Sequence, residues 1–134
     1  KLGPNQFGLE VTETAELADI NVASESLSFL KSKGIKIALD DFGAGYASLK
    51  YVRDLPIDVV KLDKHFTFNV SDSSTARLIS FVSEVCKDLE LEMIGEGIET
   101  EEEKEMMLDL GCKIGQGYLM HRPDFLDSFK KKET

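Results

Sequence analysis

Short apolar runs alternating with amphipathic stretches predict an α/β fold for this 134-residue chain, with parallel strands joined by helical crossovers. A second observation narrows the architecture. Glu10, Asp40-Asp41, Lys61, Glu96 and Gln116 each stand at or just past the carboxyl end of an apolar run, in steps of 20 to 35 residues. Each interval holds one strand-helix unit, and charged groups so placed converge on one face, as in a (β/α)8 barrel. An open doubly wound sheet fits the alternation equally well. Length is the third observation. A whole barrel takes about 250 residues, so the expectation is a partial (β/α)8 TIM-type barrel of about five strand-helix units, its amino-terminal units missing.

The elements follow in order. Phe7–Val11 reads as a strand. Ala18–Lys33 carries Ile20, Val22, Leu27, Phe29 and Leu30 at mainly helical spacing, and Gly34 suits its stop. Ile35–Leu39 is a β-branched and apolar run ending at Asp40-Asp41. A Gly-rich loop leads to a short helix near Ala47–Asp54, ended before Pro56. Val59–Leu62 is the third strand. Thr75–Leu89 is amphipathic, with Leu78, Ile79, Val82, Val85, Cys86 and Leu89 on one side. Leu91–Gly95 returns as a strand, Thr100 and Glu103 form a capping box opening a helix that Gly111 closes, Lys113–Gly115 is the last strand, and Asp124–Lys131 a final helix. No repeat, linker or low-complexity tract divides the chain, which is treated as one unit.

With 42% hydrophobic and 31% charged residues, the chain has the content of one soluble core. Its 25 acidic against 16 basic residues give a net charge of −9. Such a surface repels phosphate backbones and argues against long nucleic acid as a partner. A small phosphate ligand remains compatible if cations lie between it and the carboxylates. Cys86 and Cys112 lack CxxC spacing and read as reduced, buried fillers; His65 and His121 lack ligand spacing. No run approaches the length of a membrane span, and Lys1–Phe7 carries no signal core, so a cytoplasmic location is expected.

Asp40-Asp41-Phe42-Gly43-Ala44-Gly45-Tyr46 is the strongest local signal. Two adjacent carboxylates after a buried strand resist joint ionisation unless cations neutralise them. All-oxygen clusters suit hard ions such as Mg²⁺ or Mn²⁺. A solvated strand-end turn is the plainer reading of the pair taken alone.

Other segments agree with one family in order and spacing. Leu9–Glu13 resembles the E-x-T-E strand end of EAL-type cyclic-di-GMP phosphodiesterases, and Asp40–Leu49 their DDFGxGYSSL loop. Leu55–Asp58 with Lys61–Asp63 resembles LPxDxxKxD. Gly95–Thr100 is similar to A-E-G-V-E-T, with Gly95 replacing the usual Ala; Gly111-Cys112 and Gln116–Tyr118 match GC and QGY. The likeness runs from about residue 7 to Pro123. It implies that Glu10 and Asp40 are ligands of a first metal, and that Asp40 bridges to a second held also by Asp41 and Glu96. Lys61 would be the catalytic lysine that positions water and balances charge. Gln116 would hydrogen-bond near the water or substrate, Glu13 would anchor the Asp-Asp loop, and Asp63 and Glu99 would play supporting roles. The implied product is linear pGpG.

Plainer alternatives stand beside these roles. Glu10 could be a solvated strand-end acid, Gln116 a partner for backbone groups, and Glu13 and Glu99 simple helix-start acids. Tyr46 and Tyr118 suit either guanine stacking or the core. The family's E-A-L segment, with its metal-binding Glu, a nearby Arg and an Asn, is absent. The expectation is therefore a truncated or proteolysed piece, inactive alone, that covers its open side by self-association or domain exchange. A parent carrying GGDEF or sensor domains is compatible. Two competing readings are a degenerate cyclic-dinucleotide-binding or protein-interaction module, and an aldolase-like barrel using Lys61 as a Schiff-base nucleophile.

Overall fold

The computed structural model describes residues 3–12, 19–45 and 48–123. Five parallel strands, β1 (Gly8–Thr12), β2 (Lys36–Phe42), β3 (Val59–Leu62), β4 (Glu92–Gly95) and β5 (Ile114–Gly115), lie side by side in chain order. A doubly wound sheet reverses its strand order part-way. Sequential order is the arc of a (β/α)8 barrel, which decides between the two architectures. Among the described residues β1 pairs with β2 alone and β5 with β4 alone, so both edges of the arc are open.

Helices α1 (Ile20–Ser32), α2 (Ser48–Asp54), α4 (Ser73–Asp88) and α5 (Glu101–Asp109) follow successive strands much as expected. Asp19 caps α1 through the backbone N–H groups of Asn21 and Val22. The expected Thr100/Glu103 capping box is formed in full, with Glu103 Oε2 accepting from the Thr100 N–H and Thr100 Oγ1 from the Glu103 N–H. A fifth helix, α3 (Lys64–Phe68), was not expected; Asp63 caps it by accepting from the His65 N–H at 2.9 Å. The expected helix at Asp124–Lys131 lies outside the described residues.

Side chains alternate along a strand, and parallel partners in register share a face. Ile37, Leu39, Val60, Leu62 and Met93 face the helices and pack with Leu27, Tyr51, Val52, Ile79, Val82, Cys86 and Met107 in one buried cluster. The opposite face, the interior of a barrel, collects Glu10 beside Ala38, Ala38 beside Val59, and Lys61 beside Ile94. Here the amino ends of the strands carry the exposed Lys36–Glu92 pair at 2.7 Å, and the carboxyl ends carry the acids described below.

Asp58 fastens the amino ends together. Its carboxylate accepts from the Ile37 N–H at 2.9 Å and meets Lys31 of α1 at 2.7 Å. Its N–H donates to the Ile37 carbonyl and its carbonyl accepts from the Glu92 N–H. One residue thereby links β2, β3, β4 and α1.

Candidate metal and catalytic site

Adjacent residues on a regular strand point to opposite faces, so Asp40 and Asp41 could not both reach one site from an unbroken β2. The strand solves this with a bulge. Leu39 pairs with Val60 and Phe42 with Leu62, so two aspartates stand opposite the single Lys61. Asp41 adopts φ +54, a left-handed conformation that Asp tolerates better than most residues. β2 accordingly runs through the pair to Phe42 rather than stopping before it.

The carboxyl ends then meet. Lys61 Nζ lies 2.8 Å from Glu10 Oε1, 2.9 Å from Glu96 Oε1 and 3.3 Å from Asp40 Oδ1. Carboxylate oxygens of Asp40, Asp41 and Glu96 lie within 4.8 Å of one another. Glu10 stands outside that trio and reaches it through Lys61, with its side chain 53% exposed. Gln116 Nε2 donates to Glu96 Oε1 at 2.7 Å. Glu99 sits on the rim, where its backbone N–H donates to Glu103. Asp63 caps α3 and faces the same cleft as Asp41. Glu13 and Tyr46 lie outside the described residues. His65 sits against Asp63 rather than in the acid cluster.

Charge balance here is poor. Burial pushes the Asp41 carboxyl up, and Asp40 and Asp63 add to it. Burial also raises Glu96, with Asp40 and Asp41 contributing, although Lys61 opposes them. Burial alone would lower the Lys61 ammonium, but its bonds to Glu10 and Glu96 outweigh that and hold it well above the ordinary lysine range. A Schiff-base nucleophile needs the opposite shift, so the aldolase-like reading loses its chemistry.

Asp40 Oδ1 is fully enclosed and accepts no hydrogen bond; Lys61 Nζ at 3.3 Å is not aligned to donate to it. A buried carboxylate oxygen left this way is costly unless a cation satisfies it. With Asp41 and Glu96 beside it, the donor set is all oxygen and fits a hard divalent ion. Asp41 and Glu96 open onto a cleft of about 580 Å³ lined also by Gln116, Tyr118 and His121, with Arg122 stacked on the Tyr118 ring at 4.8 Å. A groove of about 570 Å³ lies at the other end of the sheet between α4 and α5. Among the described residues, no group of three metal-ligating side chains close enough to share an ion lies there.

Sequence reasoning missed Thr67. Fully buried on α3, it donates its hydroxyl to the Glu96 carbonyl at 2.6 Å. Its signal was available: Asp63 before Lys64-His65 is a helix-start pattern.

A sequence model of the EAL domain matches residues 1–123. The chain belongs to the EAL domain family. It is 37% identical over 123 residues to the bifunctional diguanylate cyclase/cyclic di-GMP phosphodiesterase MucR of Pseudomonas aeruginosa, an alignment covering 91% of this chain and 18% of that protein. A solved structure of the PaMucR phosphodiesterase with c-di-GMP superposes with a TM-score of 0.86 at 36% identity, covering 96% of this chain and 52% of that one. Klebsiella pneumoniae BlrP1, solved with manganese and cyclic-di-GMP, gives a TM-score of 0.82 at 32% identity, over 88% of this chain and 30% of that one. The chain thus spans about half of the solved MucR phosphodiesterase and under a fifth of the MucR protein. Among the described residues, no helix is long and apolar enough to cross a membrane.

Proposed function

We propose that residues 1–134 are the carboxy-terminal portion of one EAL-type domain and carry most of the cation-binding side of a cyclic-di-GMP phosphodiesterase that yields linear pGpG. The observation that carries this reading is the enclosed Asp40 Oδ1, which accepts no hydrogen bond and has the Lys61 ammonium 3.3 Å away, beside Asp41 and Glu96. Asp40, Asp41 and Glu96 would hold Mg²⁺ or Mn²⁺, with Glu10 joining from β1. Such ions supply Lewis-acid activation of water and charge neutralisation at phosphate. Lys61 stays charged, so it acts as a hydrogen-bond donor and charge balance, never as the base. Gln116 fixes the Glu96 carboxylate through Nε2, and its own Oε1 would orient a water or a substrate hydroxyl.

The presence together of Asp40-Asp41, Lys61, Asp63, Glu96 and Glu99 favours this over a degenerate binding module, since a receptor needs no cation-binding acids. A cytoplasmic location and a parent with GGDEF or sensor modules accord with it, as does covering of the open β1 and β5 edges by self-association or domain exchange. Light scattering of the 134-residue chain checks that last point; a stable monomer would count against it.

Calorimetric titration of the chain with Mn²⁺ should show binding that Asp40→Asn removes. Incubation with cyclic-di-GMP should give little pGpG by chromatography, because the barrel interior is open beside the site. Absence of Mn²⁺ binding sinks the cation site; brisk hydrolysis by the 134 residues alone sinks the partial-domain assignment.

A further inference from the structure

Helix α3 has only five residues, too few to persist without tertiary support. What it touches explains its presence. The Asp63 N–H that precedes it donates to the Phe42 carbonyl, directly after the Asp40-Asp41 bulge. Its Phe66 ring lies against Gly43, at φ +95, where any Cβ would overlap the ring. On its other flank Lys64 packs on Gly97, at φ +72, where a Cβ would stand 2.7 Å from that of Lys64. Thr67, fully buried, donates to the carbonyl of Glu96. The turn after Asp41 and the turn at Glu96 therefore rest on one small element.

We infer that α3 is a brace between these turns, and that Thr67 and Phe66 are positioning residues which set divalent-cation affinity without touching the ion. The inference rests on the cation site proposed above. A cluster of carboxylates binds an ion well only when their oxygens are held within fractions of an ångström, and the groups behind them do that holding. Buried Thr67 is informative because Val would fill the same space. A hydroxyl there carries a desolvation cost that only its bond to Glu96 offsets. The bond fixes the backbone of the residue that offers its carboxylate to the trio, while Phe66 fixes the loop that follows Asp41.

The test is Mn²⁺ titration, followed by the electron paramagnetic resonance of free Mn²⁺, on the unsubstituted protein and three variants, without substrate. Thr67→Val keeps the shape and removes the hydroxyl; Thr67→Ser keeps the hydroxyl and removes a methyl group. The brace predicts binding about tenfold weaker for Thr67→Val and nearly unchanged for Thr67→Ser. A packing role predicts the reverse order, and that order overturns the inference. So does native affinity in a folded Thr67→Val protein. Phe66→Leu, acting on the other turn, should also weaken binding, and it decides the matter with Thr67→Ser if Thr67→Val fails to fold. No Mn²⁺ binding by the unsubstituted protein would refute the cation site itself, an outcome distinct from binding that the variants leave untouched.

Discussion

The two ends of the same sheet treat charge in opposite ways. At the amino ends each acid has its own partner: Asp58 meets Lys31 at 2.7 Å and the Ile37 N–H at 2.9 Å, and Glu92 meets Lys36 at 2.7 Å. At the carboxyl ends Glu10, Asp40 and Glu96 share the single ammonium of Lys61, and Asp41 crowds against Asp40. β3 carries both styles, with Asp58 just before it and Lys61 near its exit. The first end holds strands together. The second is held together at a cost in self-repulsion, which accords with the cation site proposed above.

That contrast can be broken at its most strained point first. Lys61→Met should destabilise the cation-free fold by about 2 kcal/mol, because it leaves partly buried acids with no counter-charge. The half-exposed Glu10 moderates the figure, since solvent screens its share. Urea unfolding in a chelator measures it; a loss below about 1 kcal/mol would mean the acids are already neutral. Asp58→Ala comes next, at about 2 kcal/mol, most of it from leaving the fully buried Ile37 without an acceptor for its N–H. Its ion pair with the partly exposed Lys31 adds little. Native-like stability in this variant would show that Asp58 is not the fastening it resembles.

Asp41→Asn should move the other way. Asn tolerates φ +54 as well as Asp does, so the change removes charge and little else. A small gain, reduced by solvent screening of the carboxylate, is expected at low ionic strength without divalent ions, together with loss of Mn²⁺ binding. Destabilisation by this substitution, read by the same urea titration, would contradict the picture of a site in self-repulsion.

How much of this was legible before the fold was known depends on range. Val59–Leu62 was readable as a strand to the residue because all four positions are buried and apolarity alone marks it, Lys61 excepted. The start of α5 was readable because a capping box is local chemistry. The convergence of acids followed from where each apolar run ends. The bulge did not, since strand alternation places Asp40 and Asp41 on opposite faces and only pairing with β3 reveals the extra residue. For helix α3 only the Asp63 start was local; five residues show no periodicity, and its stability comes from Gly43, Gly97 and Glu96, far away in sequence. Asp58 was visible as part of a pattern, but its partner in α1 lies far outside any local window.

Acid should separate the two ends by sign. The Asp58 carboxyl lies below the ordinary aspartate value of 3.8: burial pushes it up, but Lys31 and the Ile37 N–H outweigh that. A depressed folded-state value means stability present above 3.8 and lost as pH falls through the lower folded value. The Asp41 carboxyl lies above 3.8, through burial first and Asp40 second. A raised value in an acid has the reverse sign: charged Asp41 costs stability at neutral pH, and the cost fades as pH falls from the raised value to 3.8. In cation-free solution the advantage of Asp41→Asn over the unsubstituted protein should therefore be largely lost by about pH 3.8. The deficit of Asp58→Ala should still be present there and shrink only below it. If both differences faded over one pH range, the two ends would not differ electrostatically, and the self-repulsion inferred for the carboxyl end would lose its support.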